Sequence, residues 1–307
     1  HLASPFVLGG SGAFAARQLR IPAIAVYQTD VAGFAHKYHL APLAAASWEW
    51  TRTIHNMCQR TLAPSSVAMA DLTKHGINEV FHWGRGVDSE RFSPDKRSTE
   101  LREEWDPTGQ KCIVGYVGRL AAEKGVRRLA VLDQDERYQV VIVGDGPQRS
   151  ELQELMPNAV FAGALDGDDL AHAYASLDVF VHTGEYETFC QAIQEALASG
   201  VPAIGPHAGG PIDLITSGVD GYLLDVETFE QELVETVEMI TEPSRHSAMR
   251  VAAREGVRHK TWHALCGQLM THYNDVIDRS HRIPLTFFGP MPELPLWAAK
   301  AHGARSA

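Results

Sequence analysis

The chain has 307 residues, 45% of them hydrophobic, and a formal net charge of -11. That length supports two cored domains, the acidic balance argues against a nucleic-acid binder, and no apolar run reaches the ~18 residues of a membrane span. The acid is unevenly spread, since residues 1–92 carry 8 Lys/Arg against 6 Asp/Glu. A mildly basic first part would suit an anionic lipid surface, although ordinary variation between domains is the plainer account. Cys58, Cys112, Cys190 and Cys266 form no CxxC pair, which speaks against zinc or a disulfide framework and for a reducing, cytoplasmic setting.

In chain order, "HLASPFVLGG" (1–10) reads as a strand entering a loop and "GGSG" (9–12) as a turn, with backbone approach to a ligand as the sharper option. "IPAIAVYQ" (21–28) is a short buried strand, "HKYH" (36–39) lacks a third ligand and is not read as a metal site, and residues 42–62 look helical. Trp48 and Trp50, beside Arg52, are candidates for a membrane interface but more ordinarily core or domain-contact residues. "LAPSS" (62–66) and "VFHWGRGVD" (80–88) supply a strand-turn and a second short strand, and "RFSPDKRSTE" (91–100) is a polar linker with a proline.

After the linker, strand-like runs at 111–120, 138–147, 159–165, 177–184, 201–206 and 220–225 alternate with helical stretches. Such alternation predicts an α/β protein with parallel strands and helices on both faces. The tail from 275 to 307 is proline-rich and carries no readable role.

Ligands of such sheets bind at the carboxyl ends of the strands. Four loops lie there: "GRLAAEKG" (118–125) with Arg119 and Lys124, "GDGP" (144–147) with Gly144 and Gly146, "HTGEYET" (182–188), and "GPHAGGPIDLI" (205–215). Two cations facing a helix N-terminus would make a diphosphate site. Taken alone, Arg119 and Lys124 read as a solvated surface pair and "GDGP" as a plain turn.

"EYETFCQAIQEALASGVP" (185–202) predicts a helix with Thr188 as N-cap, Gln191 completing a capping box, and Gly200 and Pro202 as the stop. The N–H groups of Phe189 and Cys190 would then join the cations on phosphate. Ionised carboxylates accept from hydroxyls, so Glu187 at the helix mouth suits a sugar and Glu195, two turns on, a ribose. The helix alone equally allows one capping and one surface glutamate. A glycosidase pair is disfavoured, because two carboxylates spaced along one helix do not face each other across a cleft.

Together, "GRLAAEKG", "VGDGP", "ETFCQAIQEALASGVP" and "GGPIDLI" resemble the family 4 retaining glycosyltransferases of the GT-B fold, whose E-x7-E pattern Glu187 and Glu195 match. The fuller strings "HLASPFVLG", "AVYQTDVAGFA", "WGRGVD" and "VHTGEYETFCQAIQEALASGVPAIGPHAGGPIDLI" look most like actinobacterial GDP-mannose-dependent α-mannosyltransferases that build mannosylated lipids. The resemblance implies two Rossmann-like domains facing a cleft: an incomplete acceptor-side domain (1–92), a donor-binding domain (93–274), and a tail (275–307). The family's first glycine-rich loop is absent, so part of the first domain is expected to precede His1, itself a pocket or structural residue. The resemblance further implies that Arg119 and Lys124 bind the donor diphosphate, Glu187 the transferred sugar and Glu195 the ribose, with Glu187, Arg119 and Lys124 carrying catalysis. Gln28 stands where many relatives have a histidine, so no catalytic His is assigned, and Gln28 and Asp30 are acceptor-side candidates. Neither metal nor cofactor is implied. The expected partners are GDP-mannose and a lipid or glycan acceptor, for a cytoplasmic protein with possible peripheral membrane contact. A UDP-sugar donor and a nucleotide-sugar binder without turnover are the alternatives.

Overall fold

The structure, a computed structural model, describes residues 1–4, 6–29 and 41–282. "HKYH" and Asp30 lie outside them, as does the tail beyond residue 282.

Two parallel sheets organise the described residues. The first has the order β1-β2-β3, from Ile24–Val26, Arg60–Ala63 and Val80–His82. Helices α1 (Val7–Leu19), α2 (Ala41–Asn56) and α3 (Ser66–Lys74) accompany it. Among the described residues of "HLAS" (1–4), Leu2 alone joins the sheet, through Leu2 N to Ile24 O and Val26 N to Leu2 O at 2.8 and 2.9 Å. The chain then turns helical at Val7, so the expected strand and the "GGSG" turn give way to α1. Tight packing explains the small residues: a Cβ on Gly10 would stand 2.9 Å from the Trp50 ring. Trp48 stacks on His75 at 3.7 Å between ring centroids. Both tryptophans are thus contact residues of the first domain. His1 Nδ1 lies 2.6 Å from the Tyr273 hydroxyl of the last described helix.

The second sheet has six parallel strands in the order β6-β5-β4-β7-β8-β9. They are β4 (Cys112–Val117), β5 (Tyr138–Val143), β6 (Val160–Gly163), β7 (Val179–Val181), β8 (Ala203–Pro206) and β9 (Gly221–Leu224). Every residue of β5 is buried, as the apolar run Val140–Val143 requires of a strand covered on both faces; the buried Gln139 amide donates to Asn158 O at 2.9 Å. The first strand of this unit lies centrally and its successors run outward on either side, so the order reverses between β4 and β7. A crevice opens outside the strand ends at that switch point.

Between the units, Ser98 caps α4 (Thr99–Trp105), and the linker is pinned rather than loose. Arg97 and Arg102 both donate to the Asp178 carboxylate, at 2.8 and 3.0 Å. Helices α5 (Ala130–Asp133), α6 (Arg149–Leu155), α7 (Gly167–Ala175), α8 (Gln191–Ala198), α9 (Phe229–Thr241) and α10 (Pro243–Val257) belong with the second sheet, and α11 (Trp262–Arg282) follows. The expected donor domain kept residues up to 274, but α11 packs on the first sheet. Its Leu265 and Val276 join the core of Ile24, Val26, Leu62 and Trp83. Arg60, buried, pairs with Asp275, and the Trp83 indole donates to Leu265 O at 2.9 Å. None of the described helices is long and apolar enough to cross a membrane.

Candidate functional site

The loops after β4 and β5 are fastened together. Gly118 N donates to Val143 O and Leu120 N to Asp145 O, both at 3.0 Å. A Cβ on Gly144, at φ +140°, would lie 1.9 Å from Gly118 O, and one on Gly146 would lie 2.3 Å from Leu120 O. The "GDGP" glycines therefore carry the turn that presents Arg119. The Arg119 side chain is 61% exposed and pairs with the buried Glu123 carboxylate. Lys124, further along, is 23% exposed and pairs with Glu187. The expected surface pair of cations is thus two separate ion pairs.

Across the switch point, the loop after β7 is bound to the Lys124 turn by Thr183 Oγ1, which donates to Lys124 O at 2.6 Å. The Thr188 capping box does not form. Helix α8 begins at Gln191 with Cys190 as its N-cap residue, at φ +77°. Thr188 Oγ1 instead donates across the cleft to Gln28 O at 3.0 Å, and Gln191 Nε2 donates to Gly86 O at 3.0 Å. The cause lies in "GGPID": Gly210 N donates to Glu187 O at 2.7 Å, and a Cβ on Gly210 would be 2.3 Å from Phe189 O. Residues 187–190 are seated on that glycine pair as non-helical chain. The N–H groups that an α-helix leaves open therefore fall at Gln191, Ala192 and Ile193 beside the Cys190 cap, while Phe189 lies outside the first turn.

Glu187 is neither a cap nor a surface residue. Burial alone would push its carboxyl up, but His182 and Lys124 beside it hold it well below the usual range. His182 Nε2 stands 3.5 Å from Glu187 Oε1. That imidazole is 3% exposed, and neither nitrogen has a hydrogen-bond partner among the described residues. Leaving a buried polar group unpaired costs about 1–3 kcal/mol, so its position calls for an explanation. Burial would push the imidazole down, yet Cys190 and Glu187 raise it above its ordinary value.

Glu195 accepts from the fully buried Tyr174 hydroxyl at 3.0 Å. Burial pushes its carboxyl up to about 7, against the pull of the Tyr174 and Gln191 hydrogen bonds. It too departs from a plain surface glutamate.

The two units also meet through Asp213, which accepts from both the backbone N–H and the hydroxyl of Ser66 at the start of α3. A pocket of about 530 Å³ opens beside this contact, lined by His82, Arg85 and Ser66 on one side and Phe189, Gln194 and Asp213 on the other. Gln28 meets the site through its carbonyl; Asp30 lies outside the described residues. Sequence reasoning missed His182, Glu123, Tyr174 and Asp213. His182, Glu123 and Asp213 all lie in strand-end loops already singled out, whereas Tyr174 sits on a helix that carried no such signal.

Two parallel α/β units, the second with its strand order reversing between β4 and β7, fit the GT-B architecture of glycosyltransferases. Two family models agree: glycosyl transferases group 1 over residues 97–256 and glycosyltransferase family 4 over residues 1–91. A Corynebacterium glutamicum protein described as a GDP-mannose-dependent alpha-mannosyltransferase is 67% identical over 309 residues, covering 100% of this chain and 75% of its own length. A Mycolicibacterium smegmatis protein of the same description is 52% identical, covering 91% of this chain and 74% of its own. Among solved structures, a Thermosynechococcus elongatus sucrose-phosphate synthase shares the fold with a TM-score of 0.72 at 22% identity, covering 87% of this chain and 72% of that one. The chain belongs to the family 4, group 1 glycosyltransferases.

Proposed function

We propose that this chain transfers mannose from GDP-mannose, with retention of configuration, onto a lipid or glycan acceptor. The donor identity is supported by the two GDP-mannose-dependent relatives. The observation that carries the site assignment is the Lys124–Glu187 ion pair at the β4/β7 switch point, beside the open end of α8. Arg119 and Lys124 take the donor diphosphate, together with Cys190 and the first-turn N–H groups. Glu187 accepts from hydroxyls of the mannose and Glu195 from those of the ribose. As the glycosidic bond breaks, negative charge develops on the departing GDP, and each well-placed donor there lowers the barrier by about 2–4 kcal/mol. The acceptor enters from the same face, and no enzyme nucleophile is used. Residues 1–92, with α11 laid against their sheet, belong to the acceptor wall, and residues 93–261 to the donor wall.

Nucleotide selection tests this reading. GDP should raise the thermal stability of the chain more than UDP or ADP at equal concentration, reaching about 2.7 kcal/mol at a hundredfold excess over its dissociation constant. Stabilisation by UDP with none by GDP would transfer the chain to the UDP-sugar users of its family.

A further inference from the structure

We infer that His182 is a positioning residue which takes over Glu187 when Lys124 turns to the donor. The inference rests on the reading of Lys124 and Glu187 given above. One carboxylate has two basic neighbours: Lys124 is bonded to Glu187 Oε1, and His182 Nε2 stands 3.5 Å from the same oxygen, longer than a well-formed hydrogen bond. A diphosphate draws a compact ammonium to itself. Glu187 would then be a buried carboxylate without its cation, which is costly and shifts it toward the neutral acid. Its neutral form would present one O–H and lose the acceptor capacity that sugar hydroxyls need.

His182 is placed to prevent that. It follows β7 directly, and its ring stacks with Tyr116 of β4, 6.4 Å between centroids at 13° between planes. A Cβ on Gly184 would lie 3.1 Å from His182 Nε2 and 3.4 Å from Lys124 Cα, so the chain at Gly184 packs closely against both residues. The titratable and charged groups around the imidazole are Tyr116 from β4, and Glu187, itself paired with Lys124, and Cys190 from the loop before α8. Burial disfavours the imidazolium and Glu187 and Cys190 favour it, the latter prevailing. A small closing movement of the 182–187 loop converts the 3.5 Å approach into a charge-assisted hydrogen bond that keeps Glu187 ionised and aimed at the sugar.

The test uses His182→Phe, which keeps ring volume without nitrogens, and His182→Asn, which keeps a neutral donor. Transfer from radiolabelled GDP-mannose to vesicles of Corynebacterium glutamicum total lipid should fall about 10- to 100-fold in His182→Phe, the scale of a misplaced group, and recover in part in His182→Asn. GDP affinity should stay within about threefold of the parent, less than 1 kcal/mol. The acid limb of the transfer profile should move to higher pH in His182→Phe, because Glu187 has lost a cationic neighbour. Nitrogen-15 spectra of the parent with GDP-mannose should show His182 doubly protonated at pH 7.5. A neutral ring in that complex overturns the inference, as do unchanged transfer and acid limb in both folded variants, or an equal loss of GDP affinity. If Glu187→Gln or Lys124→Ala keeps parental transfer and binding, the underlying reading fails first and takes this one with it.

Discussion

Lys124 and Glu187 are 63 residues apart in the chain and form an ion pair between the loops that follow β4 and β7. If Lys124 takes the donor diphosphate and Glu187 the sugar hydroxyls, as proposed above, donor binding exchanges the partners of this pair.

Lys124→Ala should weaken GDP binding about 10- to 100-fold, as expected for a charge-assisted hydrogen bond worth about 1.5–3 kcal/mol. Arg119→Ala should cost less, because that side chain is mostly exposed and already tied to Glu123. Calorimetry on the two variants checks this, and affinity within twofold of the parent for both would remove the diphosphate assignment.

Glu187→Gln should damage mannose transfer far more than affinity for GDP, which has no mannose to hold. Glu195→Ala should weaken GDP and GDP-mannose alike, since the ribose belongs to both. Equal losses of GDP affinity in the two variants would show that the roles are exchanged or wrong.

The Glu195 carboxyl gives a pH dependence of defined sign. Its pKa lies at about 7 against an ordinary 4.5, so between those values the native state holds more protons than the unfolded one. Its contribution to stability falls as pH rises from about 4.5 to 7 and is level above that. Ribose hydroxyls donate to the ionised form, so GDP affinity should rise with pH through about 7. GDP carries its own titrating phosphate, and comparison with Glu195→Gln isolates the glutamate. An identical pH dependence in parent and variant would exclude Glu195 from the ribose site.

Gly210→Ala should disturb the site from beneath. The added carbon would meet Phe189 backbone atoms at 2.3 to 2.5 Å, so the 187–190 segment must move. Overpacking of this kind costs about 1–3 kcal/mol, and a lower melting temperature with weakened GDP binding is expected. Parental values for both would mean that the loop yields without loss.

The alternation of apolar runs and helical stretches located most strands of both sheets to within a few residues, because strands buried on both faces are largely apolar; β2 (Arg60–Ala63) was the exception, since its first three residues, two of them polar, fell in the stretch read as helix. Loop positions at the strand ends were legible for the same reason. The partners within those loops were not. Nothing local couples Lys124 to Glu187, and Thr188 followed by Gln191 satisfies every local rule for a capping box. What overrode it was tertiary: Gly209 and Gly210 hold residues 187–190 off the helix, and Gln28 takes the Thr188 hydroxyl. "GGSG" was misread in the same way, since glycines that usually mark a turn here admit the Trp50 ring between two helices. The return of α11 to the first sheet is likewise a matter of packing that chain order conceals.

The central claim is mannose transfer from GDP-mannose at the site built around Lys124 and Glu187. The direct measurement is incorporation of radiolabelled mannose from GDP-mannose into vesicles of Corynebacterium glutamicum total lipid, with the linkage of the product read by NMR. The account predicts an α-linked mannosyl product from the parent chain, none from UDP-glucose under the same conditions, and a loss of product in Glu187→Gln. Tight GDP binding with no product from any chain, or product formation that Glu187→Gln leaves unchanged, would contradict it.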